Sequence, residues 1–253
     1  MGTQTNIHSR LMKCLKAQPI YIPNLLPIFS SWPGAINPHW KALIPVINAR
    51  IDSLFPPVKA TKLKRCDFAH LAATSWPLAG FNELYILSFL TLWLSTWDDQ
   101  IDETKGYLSN DFEAAELYRC ETIQFVAQCL DLELTEHWPL SDNCTASLPE
   151  DRIVQSFDVI GEALCKAYTY EQRQTFLQEM SLFMEMSQME QKAKLKGQAP
   201  SSEEYWEVRM GTSAVGVICA VNEYSVRSVL PRDIIEDHDM KIIWDEVNVI
   251  ISM

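Results

Sequence analysis

The sequence predicts an all-α fold, on three observations. Apolar residues recur at helical spacing along nearly all of the chain that follows a proline-rich start. No segment sustains the polar/apolar alternation of a half-buried strand. Only eight glycines occur in 253 residues, too few for the tight turns of a sandwich or barrel. With 47% apolar and 21% charged residues, a chain of this length buries a sizeable core and is not disordered.

Eight of the thirteen prolines fall within the first 57 residues. Residues 1–35 therefore read as an extended arm, and Ile20, Ile22, Leu25, Leu26, Ile28 and Phe29 suggest that it packs across the domain surface. Asn37-Pro38 is a helix start, a capping side chain followed by proline, for a helix over 38–54 with a bend at Pro45. Periodicity then predicts helices over 61–75, 81–104, 109–132, 148–169, 170–196, 201–226 and 231–253. Between them, 132–149 is a polar connecting loop, and Gly197, Pro200 and Pro231 mark stops. No linker, repeat or low-complexity tract divides the chain, so residues 1–253 form a single α domain.

Charge narrows the function. Lys and Arg total 21 against 33 Asp and Glu, a net of −12, which makes nucleic acid a poor partner. The longest apolar run, Leu84 to Trp97, is too short to span a bilayer and ends in two aspartates. No secretory signal precedes it, and seven scattered cysteines without a CxxC fit thiols in a reducing compartment. The expectation is a soluble protein of the cytoplasm.

The chemistry concentrates at the end of that run. Asp98 and Asp102 lie one helical turn apart on one face, with Asp99 beside them. Thr91, Leu94 and Ser95 continue that face, so the carboxylates cap an apolar wall. Like charges at i,i+4 and acids near a helix C-terminus are each unfavourable by a few tenths of a kcal/mol or more. Cations would offset both. All-oxygen ligation with open positions suits Mg²⁺, with Mn²⁺ as an alternative. The bland reading is an acidic helix end meeting solvent. Tyr85, Phe89, Trp93 and Trp97 recur every fourth residue on the same helix and read as core packing rather than as a cation-stabilising wall.

The segment WPLAGFNELYILSFLTLWLSTWDDQIDE, Trp76 to Glu103, resembles the first half of a microbial, especially fungal, class I terpene synthase. In that family a proline precedes a long helix that ends in DDxxD. A second resemblance is Tyr205-Trp206-Glu207-Val208-Arg209-Met210-Gly211-Thr212-Ser213. By the family pattern Arg209 senses the substrate diphosphate, and Thr212 and Ser213 link it to a helix break, which Gly211 and Gly216 would permit. The resemblance implies a class I helical bundle that holds Mg²⁺ on Asp98, Asp99 and Asp102. It implies ionisation of a prenyl diphosphate, such as farnesyl diphosphate, followed by carbocation cyclisation. Bound metal also explains how a chain of net −12 holds an anion.

The family carries a second metal motif, asparagine–aspartate, serine, then glutamate, about 45 residues beyond the sensor arginine, a spacing used for orientation only. Asn248 and Ser252 have the right mutual spacing, but Val249 stands in the aspartate position and the pair falls early, so they read as chance. The expectation is a bundle lacking its C-terminal helices, with one flank of the 81–104 helix exposed and little cyclase activity. A non-catalytic helical protein of the same fold, acting by binding a partner, is the alternative. A chain-elongating prenyl diphosphate synthase fits less well, because Glu103-Thr104-Lys105-Gly106 lacks arginines and Asp233 to Asp237 is a poor second aspartate-rich motif.

Overall fold

The computed structural model describes residues 13–14, 16–19, 21, 23–103, 106–134, 149–197 and 200–252. Its helices are α1 Leu26–Phe29, α2 Trp40–Leu54, α3 Pro57–Lys64, α4 Phe68–Ser75, α5 Phe81–Asp102, α6 Tyr107–Asn110, α7 Phe112–Cys129, α8 Arg152–Gln155, α9 Asp158–Ala167, α10 Tyr170–Lys196, α11 Ser202–Thr212, α12 Val215–Cys219, α13 Asn222–Val226, α14 Arg232–Ile235 and α15 His238–Ser252. Strands are absent among the described residues. Most of the predicted loop 132–149, like Ile20 and Ile22, lies outside them.

Helix α5 is the axis of the molecule. Its residues from Leu84 to Trp97 are buried except Tyr85 and Ser95. Trp93 donates its indole N–H to the Ile153 carbonyl at 2.7 Å, and Trp97 donates to Thr122 Oγ1 at 3.0 Å. Trp97 also stacks on Tyr118 of α7 and leans on Phe183 of α10. The aromatic ladder is core, as its spacing suggested. The expected exposed flank of this helix is not found. Neighbouring helices enclose its apolar residues, and exposed apolar side chains are found on other elements, among them α15 (Ile242, Ile243, Ile250, Ile251) and the N-terminal arm.

The arm also departs from expectation. Leu25, Leu26 and Ile28 are exposed, and α1 buries no residue. Asn37 opens the turn that leads into α2, its Oδ1 accepting from the His39 N–H at 3.0 Å, and it does more than cap: it is fully buried, donating to the Trp76 and Ala79 carbonyls at 3.0 and 2.7 Å. Its side chain thus pins the start of the domain to the turn that launches α5.

Capping chemistry explains where helices begin. Thr169 with Gln172, and Ser201 with Glu204, form capping boxes at α10 and α11, and Gly197 closes α10 in the left-handed region at φ 67°. The predicted 61–75 helix is split because Asp67 adopts φ 50° and caps α4 through the His70 N–H. Similarly, Asp151 caps the start of the short α8, and Ser156 and Phe157 separate α8 from α9 within the predicted 148–169 helix.

Long-range ties then fix the second half against the first. Arg119 is almost fully buried, paired with Glu116 at 2.7 Å and donating to Gln191 Oε1 at 2.5 Å, which locks α7 to α10. Trp76 Nε1 donates to Asn222 Oδ1 at 3.0 Å, and the Tyr168 hydroxyl donates to the Ala220 carbonyl while accepting from the Tyr224 N–H. The expectation of thiols throughout is corrected at Cys120, which is disulfide-bonded. Scattered spacing cannot say which sulfurs the fold brings together.

Candidate active site

Asp98 stands at the last turns of α5, partly buried, where the apolar wall ends. Burial, and then the charges of Asp102, Glu190 and Asp99, push its pKa up to about 7, with Arg209 pulling it back. Asp102, Glu190 and Arg209 are therefore its neighbours in space, from α5, α10 and α11. Asp99 turns partly aside. Desolvation raises its pKa, and Lys59 of α3 is the cation that opposes the rise. Asp102 lies 4.0 Å from Lys194, whose Nζ also donates to the Asp102 carbonyl at 3.3 Å.

Glu190 is the residue that spacing along the sequence did not single out. As a whole residue it is exposed, yet its carboxyl is desolvated enough to raise its pKa, and Asp102 adds to the rise. Arg209 and Lys194 counter it. The Thr212 hydroxyl does so as well, without closing a hydrogen bond of normal geometry. The available signal was the run of polar residues at helical spacing on α10, Ser187, Glu190, Gln191 and Lys194.

Arg209 reaches this cluster from the last turn of α11. Its Nε is buried and has no hydrogen-bond partner, and Thr212 Oγ1 is in the same condition. Eight such atoms occur among the described residues, and the two that stand beside the acidic cluster offer donors to an acceptor bound there. A diphosphate oxygen has the required chemistry.

The helix break is present, but its cause is corrected. Gly211 and Gly216 have ordinary negative φ values; the residue in the left-handed region is Ala214, at φ 57°. The two glycines are close contacts instead. A Cβ on Gly211 would lie 2.1 Å from Met186 Cγ, and one on Gly216 would lie 1.9 Å from Glu179 Oε2. They let α11 and α12 approach α10.

Asn248 and Ser252 do not stand apart, as their early position suggested. Asn248 Nδ2 donates to the Met210 carbonyl at 2.6 Å, and its Oδ1 accepts from Ser213 Oγ at 2.8 Å and Ser252 Oγ at 3.1 Å. The packing of α15 on α11 and α12 brings the asparagine and serine to the helix break whatever the count of residues between. A cavity of about 300 Å³ lies beside the break, lined by Phe183, Met186, Met210, Ala214, Trp244 and Asn248 among others. Neither Asp98, Asp102 nor Arg209 lines it.

Among the described residues, no three acidic, histidine or cysteine side chains converge on one ion-sized point. The donor set still fits a hard divalent cation. It consists of mutually repelling carboxylates, one with its pKa far above the usual carboxylate range, the oxygen donors that such a cation prefers.

Residues 90–253 match the family model "Terpene synthase family 2, C-terminal metal binding". The chain belongs to the terpene synthase family. Among relatives of this terpene synthase is "Sesquiterpene cyclase hepA" of Aspergillus oryzae (strain ATCC 42149 / RIB 40). It is 40% identical over 241 residues, covering 94% of this chain and 64% of the relative. Solved terpene synthases share the fold. The SVS_A2 protein from ancestral sequence reconstruction aligns with TM-score 0.73 at 16% identity, over 93% of this chain and 66% of that one. Germacradien-4-ol synthase from Streptomyces citricolor aligns with TM-score 0.68 at 15% identity, over 87% and 67%. The chain thus spans slightly under two thirds of the length of hepA and of the SVS_A2 protein. No helix among the described residues is long and apolar enough to cross a membrane.

Proposed function

We propose that this terpene synthase chain carries the diphosphate-binding half of a Mg²⁺-dependent sesquiterpene cyclase acting on a prenyl diphosphate such as farnesyl diphosphate. The observation that carries the reading is the meeting of Asp98, Asp102 and Arg209, with the arginine Nε buried and unpartnered. The 40% identity to a protein called a sesquiterpene cyclase supports the choice of class.

Asp98 and Asp102, with Asp99 beside them, would hold the metal, and Asn248 and Ser252 face the helix break from α15. The bound cation supplies neutralisation of the diphosphate charge. Arg209 presents a planar fork of donors to phosphate oxygens, and Thr212 adds a hydroxyl donor beside it. Ser213 and Ala214 interrupt the helix beside this site, and the groups freed there, the Met210 carbonyl and the Val215 N–H, are met by the side chains of Asn248 and Ser213. The apolar wall formed by Thr91 and Leu94 excludes water from the carbocation.

The second motif ends in a glutamate after its serine, and the 253 residues do not include one after Ser252. The proposal therefore includes that these residues by themselves bind the diphosphate but turn it over poorly. Two measurements on the same preparation test both parts: calorimetric titration with inorganic pyrophosphate with and without Mg²⁺, and product analysis with farnesyl diphosphate. Mg²⁺-dependent binding without cyclic product is the expected outcome. Cyclic product overturns the second part. Absence of Mg²⁺-dependent binding overturns the first and favours the non-catalytic helical reading.

A further inference from the structure

The last carbonyls of a helix have no donor within it, and those at the end of α7 are met by side chains from two other helices. The Leu130 carbonyl accepts from Arg173 Nη1 of α10, and the Cys129 carbonyl accepts from the Cys165 thiol of α9 at 3.3 Å. Arg173 Nη1 also donates to Cys165 Sγ at 3.6 Å. One guanidinium thus touches both the end of α7 and the sulfur that reaches it. Gly161, one turn before Cys165, lets the two helices come so close. A Cβ there would lie 2.5 Å from Cys129 Cβ, so the Cys129 side chain fills the space that a larger residue would take. Both cysteines are free thiols, half-buried on the seam between α7 and α9. The Cys165 sulfur already rests on the main chain of Cys129, so the gap left to close is spanned by the Cys129 side chain itself.

The two sulfurs differ. Burial, and then the nearby Asp158 and Cys165, push the Cys129 thiol up to about 12, which keeps it protonated. Cys165 is the sulfur that meets a cation, the setting of reactive thiols. We propose that Cys165 and Cys129 form a redox-modification site, in which a hydroperoxide oxidises Cys165 and Cys129 resolves the product to a disulfide. In the first step the Cys165 sulfur attacks the peroxide, an S–O bond forms, the O–O bond breaks, and the thiol proton leaves with the water or alcohol released. In the second the Cys129 sulfur displaces the sulfenic hydroxyl, an S–S bond forms, and the Cys129 proton leaves with that hydroxyl as water. The two thiols lose two electrons, which the hydroperoxide takes. At about 1.5 Å per residue, roughly 25 Å of α10 separates Arg173 from Glu190. The site is therefore remote from the acidic cluster and stands whether or not the diphosphate reading does.

The test is hydrogen peroxide treatment of the full chain without reductant, followed by peptide mapping, with the sulfenic-acid trap dimedone present or absent. Without the trap, the parent should yield the Cys129 and Cys165 peptides joined, lighter by two hydrogens, before Cys66, an exposed free thiol of the same chain, is consumed. Cys129→Ala cannot resolve the sulfenic acid and should carry dimedone at Cys165, whereas Cys165→Ala should leave Cys129 unlabelled at the same dose. Cys129→Ser and Cys165→Ser replace either variant that fails to fold, and the map of the parent decides the pairing without any variant. A Cys165 that survives after Cys66 is oxidised overturns the proposal. So does a Cys165 joined to a different cysteine, or one oxidised while Cys129 keeps its thiol. Dimedone on Cys129 in Cys165→Ala overturns the assigned order of attack.

Discussion

Arg227 Nε donates to Glu83 Oε1 at 2.6 Å, joining residues 144 positions apart in the chain. Glu83 lies in the first turn of α5, the helix whose far end carries Asp98. Arg227 follows α13, beyond the helix break that Arg209 precedes. The pair therefore closes the loop between the two halves of the candidate site at the end remote from it. Its partners are unequal: the Glu83 side chain is 9% exposed and that of Arg227 71%.

That inequality makes the two deletions unequal as well. Arg227→Ala strands a buried carboxylate and should lower stability by about 1–3 kcal/mol. Glu83→Gln keeps a hydrogen-bonding acceptor beside an exposed guanidinium, which water serves well, and should cost less. Urea unfolding of the two variants checks the order; a larger loss in Glu83→Gln contradicts it.

The Asp98 carboxyl, with its pKa pushed up to about 7 from an ordinary value near 3.8, gives a pH signature. Its raised folded-state value means that ionisation opposes folding in the absence of metal. The penalty is absent below about pH 4, grows through pH 7, and is complete above it. Asp98→Asn should therefore raise the melting temperature, by an increment that widens from pH 4 to pH 7 and then levels off. Mg²⁺ should raise the melting temperature of the parent at pH 8 and leave Asp98→Asn largely unmoved, and chelation should reverse the gain. Thermal melts across pH, with and without chelator, read all three.

Arg209→Ala should weaken pyrophosphate binding by about 10- to 100-fold, the loss of a charged, fork-shaped contact. Arg209→Lys keeps the charge but loses the fork, so it should recover only part of the affinity. Arg209→Ala also removes a cation that counters the charges of Asp98 and Glu190 and should lower stability at neutral pH, whereas Arg209→Lys keeps that charge and should lower it less. Calorimetry beside melting curves separates the two effects.

Gly211→Ala and Gly216→Ala look alike in sequence and differ in the structure. The added methyl at Gly211 meets Met186 at Cγ, 2.1 Å, and at Cβ, 2.7 Å, atoms anchored close to the α10 backbone. It should push α11 from α10, destabilise by about 1–3 kcal/mol, and displace Arg209. At Gly216 the clash is with the carboxylate tip of Glu179, which swings away at small cost. Denaturation midpoints of the two variants should differ accordingly.

The features legible in the sequence are those set by spacing along one helix. Asp98 and Asp102 are one turn apart on any α-helix, and the run from Leu84 to Trp97 had to be buried wherever it lay. The same holds for the caps at Thr169 and Ser201, where the chemistry is local. Glu190 was not legible because a 27-residue helix offers acids on several faces, and only its packing decides which one meets Asp98. The contact of Asn248 with the break was not legible because counting residues from Arg209 ignores the turns between helices, and that contact depends on where those turns lead.

By itself, then, the sequence determined the helical class, the buried central helix and the acidic turn at its end, since each follows from periodicity, while Arg209 was singled out by the family resemblance alone. Only the tertiary structure decided that Ala214 and not a glycine bears the break, that Asn37 is a buried tie, and that Asp99 turns toward Lys59. It also decided that Asn248 bridges the two ends of the break. These depend on which faces of separate helices meet, and a side chain's partners across such a contact are set by the packing of the whole bundle.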